Sequence, residues 1–221
     1  MISVVIPTLN AAETIYATLD QFKNSPVREI IVVDGGSSDA TAEIARAMGA
    51  RVIESEPGRG EQLHAGAEAA ETDWMLFLHA DTRLGPGWQA EVSRFIAGQD
   101  NALRGAVFRF AVDDKSAQAH RLERMVAWRN RVLDLPYGDQ GLLIHRILYD
   151  VVGGFRPLPL MEDVDFMRRL KGRFILFDAP AITSAKRFRE SGYLRRSTRN
   201  LFCLALYYLG VSPHTLVRLY N

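Results

Sequence analysis

Length, composition and charge describe an ordinary folded protein. The 221 residues include 27 Lys and Arg against 26 Asp and Glu, which gives a formal net charge of +1, and 48% of the residues are hydrophobic. These values are typical of a globular domain and exclude a disordered or collagen-like chain. The balanced charge also argues against a dedicated nucleic-acid binder, whose affinity depends on neutralising phosphates.

The single cysteine, Cys203, excludes an internal disulfide and a cysteine-rich zinc site. Residues 1–7 lack the basic start and the length of a secretory signal. The longest apolar run, residues 201–209, is much shorter than the roughly 20 residues that span a bilayer. We therefore expect a cytoplasmic protein, with association at the inner face of a membrane left open.

The first half of the chain alternates short apolar runs with amphipathic segments. The pattern predicts strands over residues 3–7, 29–34, 51–54 and 74–78, separated by helices over residues 10–22, 37–48 and 61–70. Asn10 and Glu13 have the spacing of a capping box at the start of the first helix. Such a series predicts a mostly parallel, Rossmann-like α/β sheet whose ligand site lies at the carboxyl ends of the strands.

The second half of the chain is less regular. Its patterns predict helices over residues 86–96, 117–133 and 161–171, strands over residues 106–112 and 174–177, and helical structure from Tyr193 onward with breaks at Gly210 and Pro213. No internal repeat or linker is visible. We therefore expect one domain over residues 1–185, with residues 186–221 forming a helical C-terminal extension of the same domain.

Polar motifs follow two of the predicted strands directly. Asp34 comes before a Gly-Gly-Ser-Ser turn and a helix start, where its carboxylate could accept hydrogen bonds from a base or a ribose. The alternative is that the glycines only make the turn and a serine only caps the helix. His79 and Asp81 are two residues apart, so both side chains could approach one divalent ion. The alternative is a packed histidine and a capping aspartate.

Three acids, Glu162, Asp163 and Asp165, begin the helix predicted over residues 161–171. Acids in a first turn ordinarily complement the helix dipole. The glycine-rich turn at residues 153–155 adds a second interpretation, in which it lies near an acceptor pocket and one of the acids acts as a base.

Basic residues occur at two further places. Arg59 and Gly60 begin a helix and could contact phosphate, or Arg59 could simply be solvated. A basic segment that includes Arg187 and Arg189 precedes the apolar run at residues 201–209. Either arginine could clamp a diphosphate, with an acceptor- or membrane-facing helix beyond, or the segment could be a solvated face beside a packed or dimeric helix.

Four segments resemble, in order and spacing, the motifs of family 2 glycosyltransferases with the GT-A fold. They are residues 4–10 (VVIPTLN), 32–39 (VVDGGSSD), 77–81 (FLHAD) and 161–165 (MEDVD). The resemblance implies a hexosyltransferase that moves a sugar from a nucleotide diphosphate donor, best expected to be a UDP-sugar, with inversion at the anomeric carbon. His79 stands where the family has the first Asp of Asp-x-Asp, and this His-Ala-Asp form resembles a small bacterial branch.

The resemblance also implies roles for individual residues. Asp163 would be the general base, supported by Glu162, and Asp81 with His79 would hold Mn²⁺ or Mg²⁺. The residues expected to bind the nucleotide sugar are Pro7, Thr8, Asn10, Asp34, Arg59, Gly60, His79, Ala80 and Arg187. The acceptor is a small molecule or a lipid, no nucleic acid is expected, and a peripheral membrane contact and a homodimer through the C-terminal helices stay open.

Two other functions remain open from the sequence. A nucleotidyltransferase on a similar sheet would need a glycine-rich basic loop after the first strand, where this chain has Pro7-Thr8-Leu9-Asn10. A non-catalytic nucleotide-sugar-binding module would be consistent with a histidine in the metal motif.

Overall fold

Eight strands form one sheet in this computed structural model, which describes residues 1–220. The strands are β1 (Ile2–Thr8), β2 (Val27–Asp34), β3 (Arg51–Glu54), β4 (Trp74–Phe77), β5 (Thr82–Leu84), β6 (Gly105–Val112), β7 (Leu142–His145) and β8 (Phe174–Thr183). Their order across the sheet is β3-β2-β1-β4-β7-β6-β8-β5.

Ten helices accompany the sheet in the described chain, and the last three follow the final strand, β8. They are α1 (Ala12–Asp20), α2 (Thr41–Ala47), α3 (Arg59–Ala69), α4 (Trp88–Ile96), α5 (Ala117–Leu133), α6 (Arg146–Val152), α7 (Glu162–Leu170), α8 (Lys186–Ser191), α9 (Tyr193–Tyr208) and α10 (Pro213–Tyr220). Short 3₁₀ turns occur at Asn101–Leu103 and Gly138–Gln140.

The first four strands form the parallel half of the sheet. β1 pairs in parallel with both β2 and β4, and β2 pairs in parallel with β3. Side chains alternate across β1, so that Val5 packs with Leu63 of α3 on one face while Val4 packs with Ile15 of α1 on the other. This confirms the predicted β-α series, and the carboxyl ends of the four strands meet at one edge.

The second half of the sheet contains elements that the sequence did not predict. β7 runs antiparallel to β4 and β6, and β5 runs antiparallel to β8. The strand predicted over residues 174–177 continues to Thr183, past Pro180. Proline is tolerated there because the register with β6 shifts between Phe108 and Arg109, which is where a bulge relieves the missing donor.

The predicted capping box at the start of α1 is wrong. Asn10 adopts a left-handed backbone with φ of 51°, and its side-chain oxygen accepts from the amide of Ser38 at 2.9 Å. Ala11 occupies the N-cap position without a side-chain hydrogen bond, and the carboxylate of Glu13 contacts Lys186. Asn10 therefore joins the end of β1 to the turn after β2, because the amide and hydroxyl of Ser38 in that turn donate to its side-chain oxygen.

The C-terminal helices pack onto the main core. Cys203, Leu204 and Leu216 are buried in the same apolar cluster as Val5 and Tyr149. None of the helices within residues 1–220 combines the length and the hydrophobicity that crossing a membrane requires.

Gly60 is a packing residue rather than an open phosphate-binding position. Its amide donates to the carbonyl of Leu158 at 3.3 Å, and a Cβ atom at this position would lie 2.1 Å from the carbonyl oxygen of Arg156. The first turn of α3 can approach this loop only because residue 60 has no side chain.

We expect Gly60→Ala to lower the free energy of unfolding by about 1–3 kcal/mol, because backbone must move to admit the methyl group. Urea denaturation followed by circular dichroism measures this change. His64→Ala, on an exposed position of the same helix, is the control and should change stability by less than about 0.5 kcal/mol. Equal midpoints for Gly60→Ala and the wild type would contradict the packing argument.

Candidate active site

An open cleft lies at the edge where β4 and β8 end and β7 begins. Six residues predicted from the sequence line it together, namely Arg59, His79, Asp81, Glu162, Asp163 and Arg187. Residues far apart in the chain meet here because β4, β6 and β8 run in one direction and β7 runs against them.

The start of α7 aims Asp163 into this cleft. The helix buries Val164 and Phe166 in the core, which leaves the side chain of Asp163 on the cleft side. One carboxylate oxygen accepts from the amide of Val164 at 2.7 Å, and the other accepts from the amide of Gly138 at 2.8 Å. Two hydrogen bonds therefore fix the orientation of this carboxylate.

Glu162 is buried against Arg59. Its side chain is 1% exposed, and Oε1 lies 3.2 Å from Nε of Arg59 in an ion pair without the angle of a hydrogen bond. Burial raises the pKa of Glu162 above its ordinary value; the Arg59 guanidinium opposes this rise and the neighbouring Asp163 carboxylate adds to it. Glu162 thus holds Arg59 at the cleft, a contact that the sequence did not indicate.

His79 is neutral at physiological pH. Loss of solvent and the nearby guanidinium groups of Arg59 and Arg187 lower the pKa of His79 to about 3. Its Nε2 atom faces Gly138, where a Cβ atom would lie only 2.9 Å away. A neutral imidazole can serve as a metal ligand or as a hydrogen-bonding partner.

The cleft could hold a divalent metal with few protein ligands, provided that a bound phosphate and water supply the others. Within residues 1–220, no group of three or more His, Cys, Asp or Glu side chains is arranged to hold a metal ion. Asp81 and His79 nevertheless supply one carboxylate and one neutral imidazole on the cleft lining. Mg²⁺ and similar ions are commonly bound by one or two protein groups and completed by phosphate and water. The residues present therefore fit a metal that arrives with a phosphorylated ligand.

The remaining predicted binding residues lie outside the cleft lining. They are Pro7, Thr8, Asn10, Asp34, Gly60 and Ala80. Pro7 and Thr8 belong to the last part of β1, which pairs with the last part of β2. The carbonyl of Ala80 accepts from the hydroxyl of Thr18 at 2.8 Å. The residues of β1 and β2 stand on the same sheet edge as the cleft, because β1 lies between β2 and β4.

Asp34 is held by its neighbours. Its carboxylate accepts from the hydroxyl of Thr8 at 3.0 Å and from the hydroxyl and amide of Ser37 at 2.5 and 2.8 Å. Burial opposes ionisation of Asp34, but these hydrogen bonds lower its pKa below the ordinary value. The carboxylate is therefore ionised and fixed at the end of β2.

The basic C-terminal segment divides into residues with different contacts. Arg187 lines the cleft, together with Arg196 and Asn200 of α9. Arg189 instead lies 3.4 Å from the carboxylate of Asp114 and donates to the carbonyl of Asp113 at 3.0 Å. Of the two arginines predicted as diphosphate clamps, Arg187 is the one on the cleft.

The glycine-rich turn at residues 153–155 does not line the cleft. Gly153 ends α6 with φ of 83°, and Gly154 packs against the ring of Tyr149. Phe155 lines a smaller apolar cavity that lies behind Glu162 and Asp163. The proposed acceptor role of this turn therefore has no support from its position.

Residues 137–140 are the part of the site that sequence reasoning missed. Gln140 is fully buried; it accepts from Asn130 at 3.0 Å and donates to the carbonyl of Phe108 at 2.9 Å. Arg129 of α5 stacks over the ring of Tyr137 with 3.4 Å between the guanidinium carbon and the ring centroid. The signal available in the sequence was the polar Gly-Asp-Gln segment directly before the apolar residues 142–144.

Asp139, in this segment, brings a further carboxylate to the cleft. Its Oδ1 atom is buried without a hydrogen-bond partner. Burial raises the pKa of Asp139 to about 6; Arg129 lowers it, and the negative charges of Asp163 and Asp81 raise it further. The cleft therefore contains an acid that titrates between pH 4 and pH 7, well above an ordinary aspartate.

Comparison with known proteins identifies the family. The model of glycosyl transferase family 2 matches residues 3–160. The chain belongs to this family. It is therefore a glycosyltransferase, and the residues predicted as its motifs lie within or just beyond the matched part.

Two mycobacterial glycosyltransferases illustrate the similarity. The chain is 29% identical over 179 residues to a PGL/p-HBAD biosynthesis glycosyltransferase of Mycobacterium bovis, covering 75% of this chain and 68% of that protein. Glucosyl-3-phosphoglycerate synthase of Mycobacterium tuberculosis is 38% identical over 92 residues, covering 36% of this chain and 28% of that protein. Its structure with Mn²⁺, UDP and glucosyl-3-phosphoglycerate has a TM-score of 0.61 at 23% identity, covering 91% of this chain and 78% of that chain.

S. aureus TarS, residues 1–349, has a TM-score of 0.66 at 15% identity and covers 99% of this chain and 69% of that chain. These structural matches confirm the predicted GT-A fold of this glycosyltransferase. The chain spans about two thirds of the length of such relatives, with 65% for one further mycobacterial structure.

Replacing Asp139 should stabilise the protein in a pH-dependent way. The folded-state pKa of about 6 exceeds the ordinary value of 3.8, so stability is lost as the pH rises from about 4 to about 6. We expect Asp139→Asn to raise the free energy of unfolding by about 1–3 kcal/mol near pH 7.5 and by much less near pH 4. Urea denaturation at the two pH values measures the difference.

Asp178→Asn, at an exposed position in β8, controls for the loss of one negative charge and should change stability little at either pH. A stabilisation by Asp139→Asn that is the same near pH 4 and pH 7.5 would show that ionisation of this carboxyl is not its cause.

Proposed function

We propose that this glycosyltransferase moves a sugar from a UDP-sugar to an acceptor hydroxyl with inversion at the anomeric carbon. The observation that carries the proposal is the meeting of Asp81 and Asp163 on one cleft that also contains Arg59 and Arg187. Glucosyl-3-phosphoglycerate synthase, which shares the fold, forms a complex with Mn²⁺ and UDP. The His-Ala-Asp form at residues 79–81, which resembles that of a small bacterial branch of the family, supports membership of this branch.

Asp163 is the base in this proposal. An inverting transfer needs one group that accepts the acceptor's proton as the hydroxyl attacks from the side opposite the departing diphosphate. The two amides that bind the Asp163 carboxylate hold it in place and leave oxygen lone pairs directed to the cleft. A base must lie within roughly 3 Å of the proton that it takes, and a carboxylate with a fixed orientation meets this demand without rearranging.

Asp81 and His79 hold the metal in this proposal. When bound, Mn²⁺ or Mg²⁺ neutralises the charge that develops on the departing diphosphate. Arg59 and Arg187 add fixed positive charge, since both lie close enough to His79 to depress its pKa. Glu162 contributes by keeping Arg59 at the cleft through the 3.2 Å ion pair.

The nucleoside end of the donor lies at the carboxyl ends of β1 and β2. Pro7, Thr8 and Asn10 with Asp34 form this part of the edge, next to the end of β4. The ionised and immobilised carboxylate of Asp34 could accept a hydrogen bond from a base or ribose without reorganising. Ala80 and Gly60 support the donor site in this proposal through their backbone rather than through side-chain contacts. Gly60 does so by letting the first turn of α3 approach residues 156–158.

Residues 1–185 and 186–221 form one transferase domain in this proposal, the second part being its extension. Arg196 and Asn200 of α9 line the cleft, and Cys203 and Leu204 of the same helix are buried in the main core. A cleft that is incomplete without α9 favours an integral extension over a separate unit. The acceptor in this proposal is a small molecule or a lipid.

The other two functions considered from the sequence are less favourable. Family membership argues against a nucleotidyltransferase, and the turn after β1 is tied to Ser37 and Ser38 rather than arranged as a glycine-rich phosphate loop. A binding module without catalysis would have no need for a carboxylate fixed as Asp163 is.

Asp163→Asn should abolish transfer while donor binding remains. The amide oxygen of asparagine can still accept from Gly138, so the cleft keeps its shape, but an amide cannot accept a proton. We expect kcat to fall by about 10²–10⁴-fold, measured as release of nucleoside diphosphate in the presence of acceptor. Asp178→Asn is the matched control, and a wild-type kcat for Asp163→Asn would show that another group is the base.

Asp81→Ala should remove the metal dependence of donor binding. A thermal-shift screen of UDP-sugars with and without Mn²⁺ reports binding, because a ligand that binds only the folded state raises its apparent stability. The wild type should show a larger shift with donor and Mn²⁺ together than with either alone. Asp81→Ala should lose this excess, and an unchanged excess would place the metal elsewhere.

A further inference from the structure

The outer face of α9 is apolar and lies in solvent. Leu194, Leu201, Phe202, Tyr208 and Leu209 are 48–80% exposed, and their spacing places them along one side of the helix. The opposite side carries the cleft residues Arg196 and Asn200 and the buried Cys203 and Leu204. The helix thus turns a largely apolar side, interrupted by Thr198, towards solvent.

The outer face of α5 has the same character. Met125, Trp128 and Val132 recur at three- and four-residue intervals and are 40%, 60% and 56% exposed. Arg121 and Arg124 are exposed near these apolar side chains. The inner face packs into the core through Leu122 and Val126. Among residues 1–219, more than half of the large exposed apolar side chains lie on α5, on α9 or at the residue that follows α9.

The two helices are neighbours. α5 packs against α9, and Tyr193 at the start of α9 joins the cluster formed by Ala119 and Leu122 of α5. The hydroxyl of Tyr193 also donates to Asp114, shortly before α5 begins, at 2.7 Å. We call the exposed apolar residues of this pair the two-helix surface: Met125, Trp128, Val132, Leu194, Leu201 and Phe202.

The exposed charge around the two-helix surface is mostly positive. Arg121, Arg124 and Arg131 of α5 and Arg195 of α9 are exposed, against the exposed acids Asp134 after α5 and Glu190 before α9. Of the other arginines of these helices, Arg129 is buried and Arg196 lines the cleft. α5 contains four arginines and one acid, Glu123, and that carboxylate accepts from the amide of Val112 and from His120. Apolar side chains bordered by arginines are typical of segments that enter the headgroup region of an anionic membrane.

We propose that the two-helix surface docks this protein onto an anionic lipid bilayer. The apolar side chains enter the headgroup and acyl boundary, and the arginines bind lipid phosphates. A second copy of the chain is a poorer occupant, because a symmetric contact brings two mostly positive surfaces together. The proposal concerns binding alone and does not depend on the proposed reaction.

Docking would place the cleft close to the lipid surface. Since Arg196 and Asn200 lie on the side of α9 opposite the exposed stripe, only about one helix diameter, 10–12 Å, separates the cleft lining from the bilayer. An acceptor held in the membrane by a lipid would then reach the cleft, whereas a soluble acceptor would gain nothing from this placement.

Tryptophan fluorescence reports directly whether the two-helix surface binds a bilayer. Trp74 and Trp88 are buried at 8% and 6% exposure, so Trp128, at 60%, dominates the response of the fluorescence to the surroundings. We expect vesicles of phosphatidylcholine mixed with phosphatidylglycerol to shift the emission to the blue, and brominated lipids to quench it. Vesicles of phosphatidylcholine alone should bind at least about tenfold more weakly.

Matched double variants test the surface by vesicle cosedimentation. Leu201→Ser with Phe202→Ser should weaken binding to the anionic vesicles by at least about tenfold. Leu176→Ser with Leu103→Ser, at positions of 49% and 56% exposure against 48% and 58%, should leave binding unchanged. Circular dichroism confirms that each variant is folded.

Three outcomes would overturn the proposal. They are an absence of cosedimentation with anionic vesicles, equal binding by both double variants, and a stable dimer in lipid-free solution that the Leu201→Ser and Phe202→Ser changes dissociate. The last outcome would assign the surface to a second copy.

Discussion

The site depends on one hydrogen bond, from the amide of Gly138 to the carboxylate of Asp163 at 2.8 Å. It joins the segment before β7 to the first turn of α7, two parts of the chain that neither periodicity nor a local motif connects. A glycine at residue 138 also keeps this approach close, because a Cβ atom there would lie 2.9 Å from Nε2 of His79 and the imidazole would have to shift. Three elements therefore converge where one residue lacks a side chain.

Charge in the cleft is arranged at a cost to stability. The carboxyl groups of Glu162 and Asp139 are buried, and their raised pKa values show that ionisation works against folding there. Arg59 offsets part of that cost at Glu162, and Arg129 does so at Asp139. Buried charges that lower the stability of the folded protein are common in binding sites. The same charged groups that destabilise the fold are the ones that bind the ligand.

The sequence was most informative where structure is local. The strand at Arg51–Glu54 and the helix at Ala117–Leu133 were predicted at both ends, because each satisfies its own burial pattern. It was least informative over residues 134–160, where β7 and α6 were missed. β7 is four residues long and buried by β4 and β6 on either side, so its apolar residues carry no period that distinguishes strand from helix.

The sequence by itself determined the β-α series and the family and named Asp81 and Asp163 as candidate site residues, because these follow from short-range patterns and ordered motifs. Only the tertiary structure decided which side chains meet. It put Arg187 on the cleft and paired Arg189 with Asp114, joined Asn10 to Ser38 instead of α1, and added Asp139. The physical reason is that burial, hydrogen-bond partners and pKa depend on elements distant in the chain, whose packing no local pattern specifies.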